Sequence, residues 1–333
     1  GNELQFIVNS VTDPYFNLAS EEYMMENAGD DIFMLWRNDN AVIIGKNQNA
    51  FSEVNRGFTE KEGIKVVRRL TGGGAVFHDL GNVNFTFIMP YDGGDLDFSR
   101  FTSAVSEVLL EAGIHAEADG RNDIIAGGAK ISGNAQCVFE SSKYGKRLMH
   151  HGTLLFSADL SRMSGALNVS EEKKAAKGIK SVRSRVCNIC DIPGYSGPRD
   201  AEGFLAFLTE AFAQHFGTAR DFSPEEKIGI AELAENKYSR WEWDFGVSRE
   251  FAASRRKRFS FGTLECGVTT DRGIITDIEL SGDFFSTADV SELERRLCGV
   301  RYTFEDVVSK LVDCSEYICG STSDELAGFI CGM

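Results

Sequence analysis

Two hydrophobic periods alternate along the chain. Apolar or alternating runs at 4–8, 32–36 and 41–44 have strand character, and between the first two the spacing of Leu18, Ala19, Tyr23 and Met24 predicts a helix over 14–27. Further strands are expected at 65–69, 75–78 and 84–89, with Gly72-Gly73-Gly74 between two of them. After the Tyr91-Asp92-Gly93-Gly94 turn the period becomes helical over 101–112, then short strands follow at 115–118, 124–126, 129–139 and 153–156. Ser170-Glu171-Glu172-Lys173 has a hydroxyl cap followed by first-turn acids, which predicts a helix start, and 201–216 is a further amphipathic helix. Past Lys237 the texture changes. Trp241 and Trp243 flank Glu242, strand patterns run over 259–269 and 274–280, and helical patterns run over 290–297 and 304–312. The expected fold class is α+β: a large domain of mixed β-sheets flanked by helices over 1–246, then a small α+β domain over 247–333.

Composition narrows the functional classes. With 50 acidic against 35 basic residues the net charge is −15, the wrong sign for holding nucleic-acid backbones. The densest basic run, Arg255-Arg256-Lys257-Arg258, reads as a solvated face or a local ion-pair site. No apolar run approaches the roughly 18 residues of a membrane span. Of 8 cysteines only Cys187 and Cys190 have CxxC spacing, with no second pair to complete a zinc site; they are either a redox pair or, as the lack of a signal peptide and of a membrane span favours, free thiols like the rest in a reducing, cytoplasmic compartment. Gly1 stands where an initiator methionine would, which reads as a trimmed or processed start and leaves a removed targeting segment open.

Chemistry concentrates in three places. In Arg68-Arg69-Leu70-Thr71-Gly72-Gly73-Gly74-Ala75-Val76-Phe77-His78-Asp79 three glycines remove every Cβ from a strand connection. Such a loop is either a flexible turn or a bare-backbone surface whose amides grip an anion, with Arg69 adding a fork of donors. It is neither a Walker A loop nor a dinucleotide GxGxxG. His78 is either a ligand donor or a satisfied structural residue. The second place joins Gly120-Arg121-Asn122-Asp123 to Lys130-Ile131-Ser132-Gly133. Lys130, in an apolar, glycine-bordered strand, either snorkels to water or presents a point charge to a bound anion. Asp123 is either a turn residue or a ligand to a magnesium ion otherwise held by phosphate and water. The third is His150-His151-Gly152-Thr153-Leu154, where strand alternation sends the two histidines to opposite faces. There is no GxSxG elbow and no HExxH.

In that order, and together with Asp13-Pro14-Tyr15-Phe16-Asn17-Leu18-Ala19 and Leu80-Gly81-Asn82, these pieces resemble the bacterial-type lipoate-protein ligase A family over nearly the whole chain. Ser181-Val182-Arg183-Ser184-Arg185-Val186, Arg256-Lys257-Arg258-Phe259 and Gly282-Asp283-Phe284-Phe285 are similar to it as well, the last two in its C-terminal accessory domain. The resemblance implies a biotin/lipoate ligase-like catalytic fold and a two-step reaction. Lipoate and Mg-ATP give lipoyl-AMP and pyrophosphate, and the acyl group passes to a specific lysine of a lipoyl domain, in 2-oxoacid dehydrogenase E2 subunits or glycine-cleavage H protein. Lipoate or octanoate is the implied small molecule, and ATP with Mg2+ the implied cosubstrate. It further implies that Arg69, Gly74, Ala75, Val76 and Phe77 line the adenylate pocket, and that Lys130 is the catalytic cation at the lipoate carboxyl and the phosphate. His78, Asn122, Asp123, His151 and Thr153 are further implied pocket residues, Asp123 with magnesium through phosphate. A rotation of the accessory domain between the two steps is also implied.

One departure precedes Lys130: Ala126-Gly127-Gly128-Ala129 is short and neutral where some family members carry a longer charged turn. Lipoyl domains of the family are commonly acidic too, so net charge does not account for partner attraction. The competing readings are an ATP-independent lipoyl or octanoyl transferase, which needs a pre-activated donor and often a cysteine nucleophile, and a non-catalytic lipoyl-domain-binding protein. Biotin-protein ligase is a more distant alternative.

Overall fold

The computed structural model describes residues 4–94, 99–120, 122–168, 185–246, 248, 251 and 254–333. The expected helix start at Ser170, the Ser181-to-Ser184 stretch and Arg121 lie outside them. Contacts divide the chain into two units, Gly1–Ile43 with Asn55–Val67 and Val76–Arg240, and Ile44–Val54 with Arg68–Ala75 and Trp241–Met333.

Among the described residues the first unit carries, but for the end residues Ile44 and Arg68, ten strands: β1 (Leu4–Val8), β2 (Asp31–Trp36), β3 (Ala41–Ile44), β4 (Lys65–Arg68), β5 (Val76–His78), β6 (Asn82–Pro90), β7 (Glu117–Asp119), β8 (Asp123–Ala126), β9 (Ala129–Ser141) and β10 (Gly145–Leu155). Seven form one sheet in the order β1-β2-β6-β10-β9-β8-β7, and β4-β3-β5 form a smaller one. All pairings along the large sheet are antiparallel except β1 with β2. One face of the sheet is aromatic. Phe33 lies 4.5 Å from the ring centroids of both Phe87 and Phe212 and 5.3 Å from that of Phe6, beneath the Ala201–Phe216 helix. Burying each such ring stabilises the fold by roughly 1.5–3 kcal/mol.

The opposite face packs on the Pro14–Asn27 helix. Asp13 caps that helix by accepting the Tyr15 N–H, and Pro14 opens it at a position where no amide is needed. The Pro224–Leu233 helix, which the hydrophobic pattern does not announce, is started by a capping box between Ser223 and Glu226. Ile230 is the one residue it buries, and Ile228 stays exposed, so no apolar stripe marks it. β10 begins eight residues before the expected strand because it buries Arg147, whose guanidinium donates to the Gly29 and Asp30 carbonyls.

The second unit contains β11 (Ser254–Phe259), β12 (Gly262–Asp271) and β13 (Ile274–Gly282), an antiparallel meander backed by the Val290–Leu297 and Ser323–Ile330 helices. The single strand expected over 259–269 is thus replaced by the turn and second strand of a hairpin. Its basic first strand is an ion-pair site: Arg256 reaches Glu53 at 3.3 Å and Glu265 at 3.6 Å, and Arg255 donates to the Ile330 carbonyl at 2.7 Å. The α+β class holds, with sheets and helices in one large and one smaller unit. Among the described residues no helix is long and apolar enough to cross a membrane.

Candidate active site

Register decides where Lys130 points. Asp123 pairs with Gly133 and Ile124 with Ser132, but Ile125 pairs with Lys130, so β9 carries one extra residue at Ile131. In a regular strand Lys130 and Gly133, three apart, would face opposite sides. The bulge returns Lys130 to the side of Asp123, and its Nζ lies 3.1 Å from Asp123 Oδ1. The main chain of Lys130 is fixed on its outer side, donating to the Arg185 carbonyl at 2.8 Å and accepting from the Cys187 amide at 3.0 Å. The short neutral turn before it is a two-residue hairpin in which Gly127 and Gly128 have φ of 60° and 78°, the left-handed pair that such a turn requires.

The same face continues across β10, β6 and β2. Thr153 Oγ1 accepts the Gly133 amide at 3.0 Å, and Asn84 lies opposite Thr153. Next, Trp36 Nε1 donates to Thr86 Oγ1 at 2.9 Å, and that hydroxyl donates to Glu21 Oε2 at 2.7 Å. His151 Nδ1 bonds the same carboxylate oxygen at 2.8 Å, which turns Nε2 away from Glu21. Asn82 Oδ1 and Asn84 Nδ2 are buried without a hydrogen-bond partner among the described residues. A buried face with unmet polar atoms is a surface built to take a polar ligand.

The neighbouring histidine faces the other way, as alternation requires. His150 is fully buried and stacks on Phe85 with centroids 6.0 Å apart. Burial, with His151 adjacent, pushes its pKa well below the usual imidazole value, so it is neutral at pH 7. Gly152, which follows His151, is closely packed. A Cβ there would sit 2.3 Å from Asn134 Oδ1 and 2.4 Å from Phe85 Cζ.

The glycine loop belongs to the second unit, and its two arginines divide the labour. Arg68 is fully buried and structural. Its Nη1 donates to the Gly45, Lys46 and Gln48 carbonyls at 3.0, 3.0 and 2.7 Å, Nη2 to the Asp244 carbonyl and Ser248 Oγ, and Nε to the Trp243 carbonyl. Burial lowers its pKa to about 10 and raises that of Asp244, whose Oδ1 accepts the Arg68 amide, to about 8. Arg69 clasps its own loop, with Nε on Thr71 Oγ1 at 2.9 Å and Nη2 on the Gly72 and Gly74 carbonyls at 2.7 and 2.8 Å. Gly72 is needed for close approach, since a Cβ there would lie 2.3 Å from the Phe284 carbonyl oxygen.

Within the first unit, then, Asn122, Asp123, Lys130 and Thr153 are brought together, and His151 lies further along the same face. Val76, Phe77 and His78 form β5, where Phe77 is buried under the Arg162 guanidinium and His78 Nδ1 meets Asn38 Nδ2 at 3.0 Å. Arg69, Gly74 and Ala75 are in the loop of the second unit. Sequence reasoning missed Glu21, Trp36, Asn84 and Thr86. A signal was present: in Asn82-Val83-Asn84-Phe85-Thr86-Phe87 the polar residues alternate with apolar ones on a strand buried on both sides.

Residues 13–213 match the family model described as the lipoyl protein ligase A/B catalytic domain, and 248–330 match the bacterial lipoate protein ligase C-terminus. The chain belongs to the lipoate-protein ligase A family. It is accordingly an ATP-dependent lipoate-protein ligase with a catalytic and a C-terminal accessory domain. The ligase is 38% identical over 313 residues to lipoate-protein ligase 1 of Staphylococcus aureus, covering 93% of this chain and 92% of that one. It is 37% identical over 339 residues to lipoate-protein ligase LplJ of Bacillus subtilis, covering 98% and 99%. Among solved structures it is similar to P. falciparum LipL1 in complex with lipoate, at 26% identity and a TM-score of 0.79, over 99% of this chain and 100% of that one. Similarity to a lipoate-protein ligase A bound with ATP has a TM-score of 0.57 at 27% identity, over 74% of this chain and 99% of the other.

Proposed function

We propose that the ligase activates lipoate, or octanoate, with ATP and transfers the acyl group to a lysine of a lipoyl domain, with Lys130 as the cation of the first step. A carboxylate oxygen of the acid attacks the α-phosphorus, the bond to pyrophosphate breaks, and a mixed anhydride with AMP remains. Negative charge grows between two groups that are already anionic. The Lys130 ammonium, placed by the bulge on the polar face and held at 3.1 Å by Asp123, is the observation that carries this role. In the second step the acceptor lysine, having lost its proton, attacks the acyl carbon and AMP leaves.

Asn122, Asp123, His151 and Thr153 are proposed as ligand contacts around Lys130 on that face. Arg69, Gly74, Ala75, Val76, Phe77 and His78 are proposed as adenylate contacts on their sequence motif. Mg2+ enters with ATP. Among the described residues no three His, Cys, Asp or Glu side chains stand together as a metal cage. The residues present fit a magnesium ion held mainly by phosphate and water, with Asp123 as the protein's carboxylate.

An acceptor of the E2 kind is supported by the archaeal bipartite ligase studied with its E2 lipoyl domain, to which this chain is similar at 29% identity and a TM-score of 0.61; an H-protein acceptor is proposed on the sequence resemblance alone. We place the boundary between catalytic and accessory domains at 246/247, and assign the enzyme to the reducing cytoplasm on its free cysteines. The test is mass spectrometry of an E2 lipoyl domain and an H protein after incubation with the enzyme, lipoate and Mg-ATP. A lipoyl mass gain requiring ATP is expected. Modification only from a pre-activated acyl donor would establish the transferase instead.

A further inference from the structure

Three polar side chains lie on the aromatic face of the large sheet, opposite the face that carries Asp123. Asn134 and Gln136 alternate along β9, and His150 on β10 pairs with Gln136. All three are buried, at 5%, 0% and 0% exposure. Polar groups in such a core are costly unless each is satisfied. They form a directed chain. Gln136 Nε2 donates to His150 Nδ1 at 2.9 Å, and His150 Nε2 donates to Asn134 Oδ1 at 3.0 Å. Asn134 Nδ2 then donates to the Asn122 carbonyl at 3.2 Å and to Ser132 Oγ at 3.2 Å. The Asn122 carbonyl also takes the Asn134 backbone amide at 2.7 Å, so it is held twice.

Asn122 immediately precedes Asp123, the first residue of β8 and the partner of Lys130. The bulge that aims Lys130 interrupts the β8–β9 ladder just beyond this point, so ladder bonds alone fix the start of β8 weakly. The second bond to the Asn122 carbonyl comes from a side chain whose orientation His150 sets.

We propose that Asn134, oriented by His150 and Gln136, is a positioning residue for adenylation, holding Asn122 so that Asp123 sets the Lys130 ammonium in place. This rests on the reading of Lys130 as the adenylation cation. It needs no proton transfer by His150, which acts as a neutral donor and acceptor.

The experiment uses the full-length enzyme and measures lipoate-dependent pyrophosphate release, resolving kcat from the lipoate KM, alongside thermal unfolding. Asn134→Ala is expected to lower kcat about 10- to 100-fold, with KM within about threefold, because a misplaced cation costs rate more than binding. His150→Gln, whose amide nitrogen takes the place of Nε2, should keep kcat within about threefold, whereas His150→Leu should fall like Asn134→Ala. In an Asp123→Asn background the Asn134→Ala loss should shrink to under about twofold, since both act on the same ammonium. A folded Asn134→Ala enzyme with kcat within twofold of wild type would overturn the proposal, as would a full multiplicative loss in the Asp123→Asn background. If Asn134→Ala does not fold, the histidine pair decides, and equal kcat for His150→Leu and His150→Gln overturns it. Absence of lipoate-dependent release from the wild-type enzyme would instead count against the Lys130 reading.

Discussion

Lys130 and Asp123 are in contact, Nζ to Oδ1 3.1 Å, only because β9 has one residue more than β8 between their pairing points. Both side chains are about one-quarter to one-third exposed, at 25% for Asp123 and 32% for Lys130. The pair therefore contributes little to stability, of the order of 0–1 kcal/mol. Its value is in aim: a point charge fixed where a phosphate and a carboxylate must meet.

Removing the side chain of Lys130 should separate activity from stability. Lys130→Ala is expected to lower lipoate-dependent pyrophosphate release by at least about 10²-fold while leaving the midpoint of thermal unfolding nearly unchanged, because the bonds to Arg185 and Cys187 are main-chain.

A single methyl at position 152 should be felt through the sheet. Gly152→Ala drives a Cβ against Asn134 Oδ1 and Phe85 Cζ, at 2.3 and 2.4 Å in the present geometry. A loss of about 1–3 kcal/mol in urea unfolding is expected, from displaced side chains in a packed core. An unchanged midpoint would show that both neighbours yield freely.

Asp244 makes stability depend on pH in a stated direction. Its pKa, raised by burial to about 8, lies above the unfolded value near 3.9, so the native state binds more protons across that interval. The group's contribution is complete below pH 4 and is lost as pH rises through 8. Asp244→Asn keeps an acceptor for the Arg68 amide and removes the titration. Its stability relative to wild type should therefore climb between pH 5 and 8, by roughly 2 kcal/mol or more, then level off. Urea unfolding at pH 5, 7 and 9 reads this directly, and a pH-independent difference would contradict it.

Arg69 should not be replaceable by lysine. Its guanidinium spans Thr71, Gly72 and Gly74 at once, a reach that one ammonium lacks. Arg69→Lys and Arg69→Ala are both expected to destabilise the enzyme by about 1–3 kcal/mol and to raise the lipoate KM. Recovery of both quantities in the lysine variant would argue against the clasp.

Much of the fold was legible because apolar period and element coincide: 4–8, 14–27, 41–44, 201–216 and 290–297 are strands and helices with the expected bounds. The failures have physical causes. The Pro224–Leu233 helix is set by its capping box and little buried surface, and the first half of β10 is masked by Arg147, His150 and His151, which a central strand buries by bonding them. The site was legible where a motif is local, as at Lys130 with Asp123. Trp36 and Thr86 come together through strand register and Glu21 joins them through packing of the Pro14–Asn27 helix on the sheet, and the bulge at Ile131 leaves no mark in residue type. The Arg68-to-Asp79 motif reads as one piece, yet the contacts assign Arg68–Ala75 and the residues from Val76 onward to different units.

The most direct test compares lipoate-dependent pyrophosphate release from Mg-ATP by wild-type, Lys130→Ala and Lys130→Arg enzymes at saturating substrate. Release by wild type only with lipoate, its near-abolition in Lys130→Ala and partial retention in Lys130→Arg are expected. Near-normal release by a folded Lys130→Ala enzyme would contradict the assignment of Lys130 as the adenylation cation.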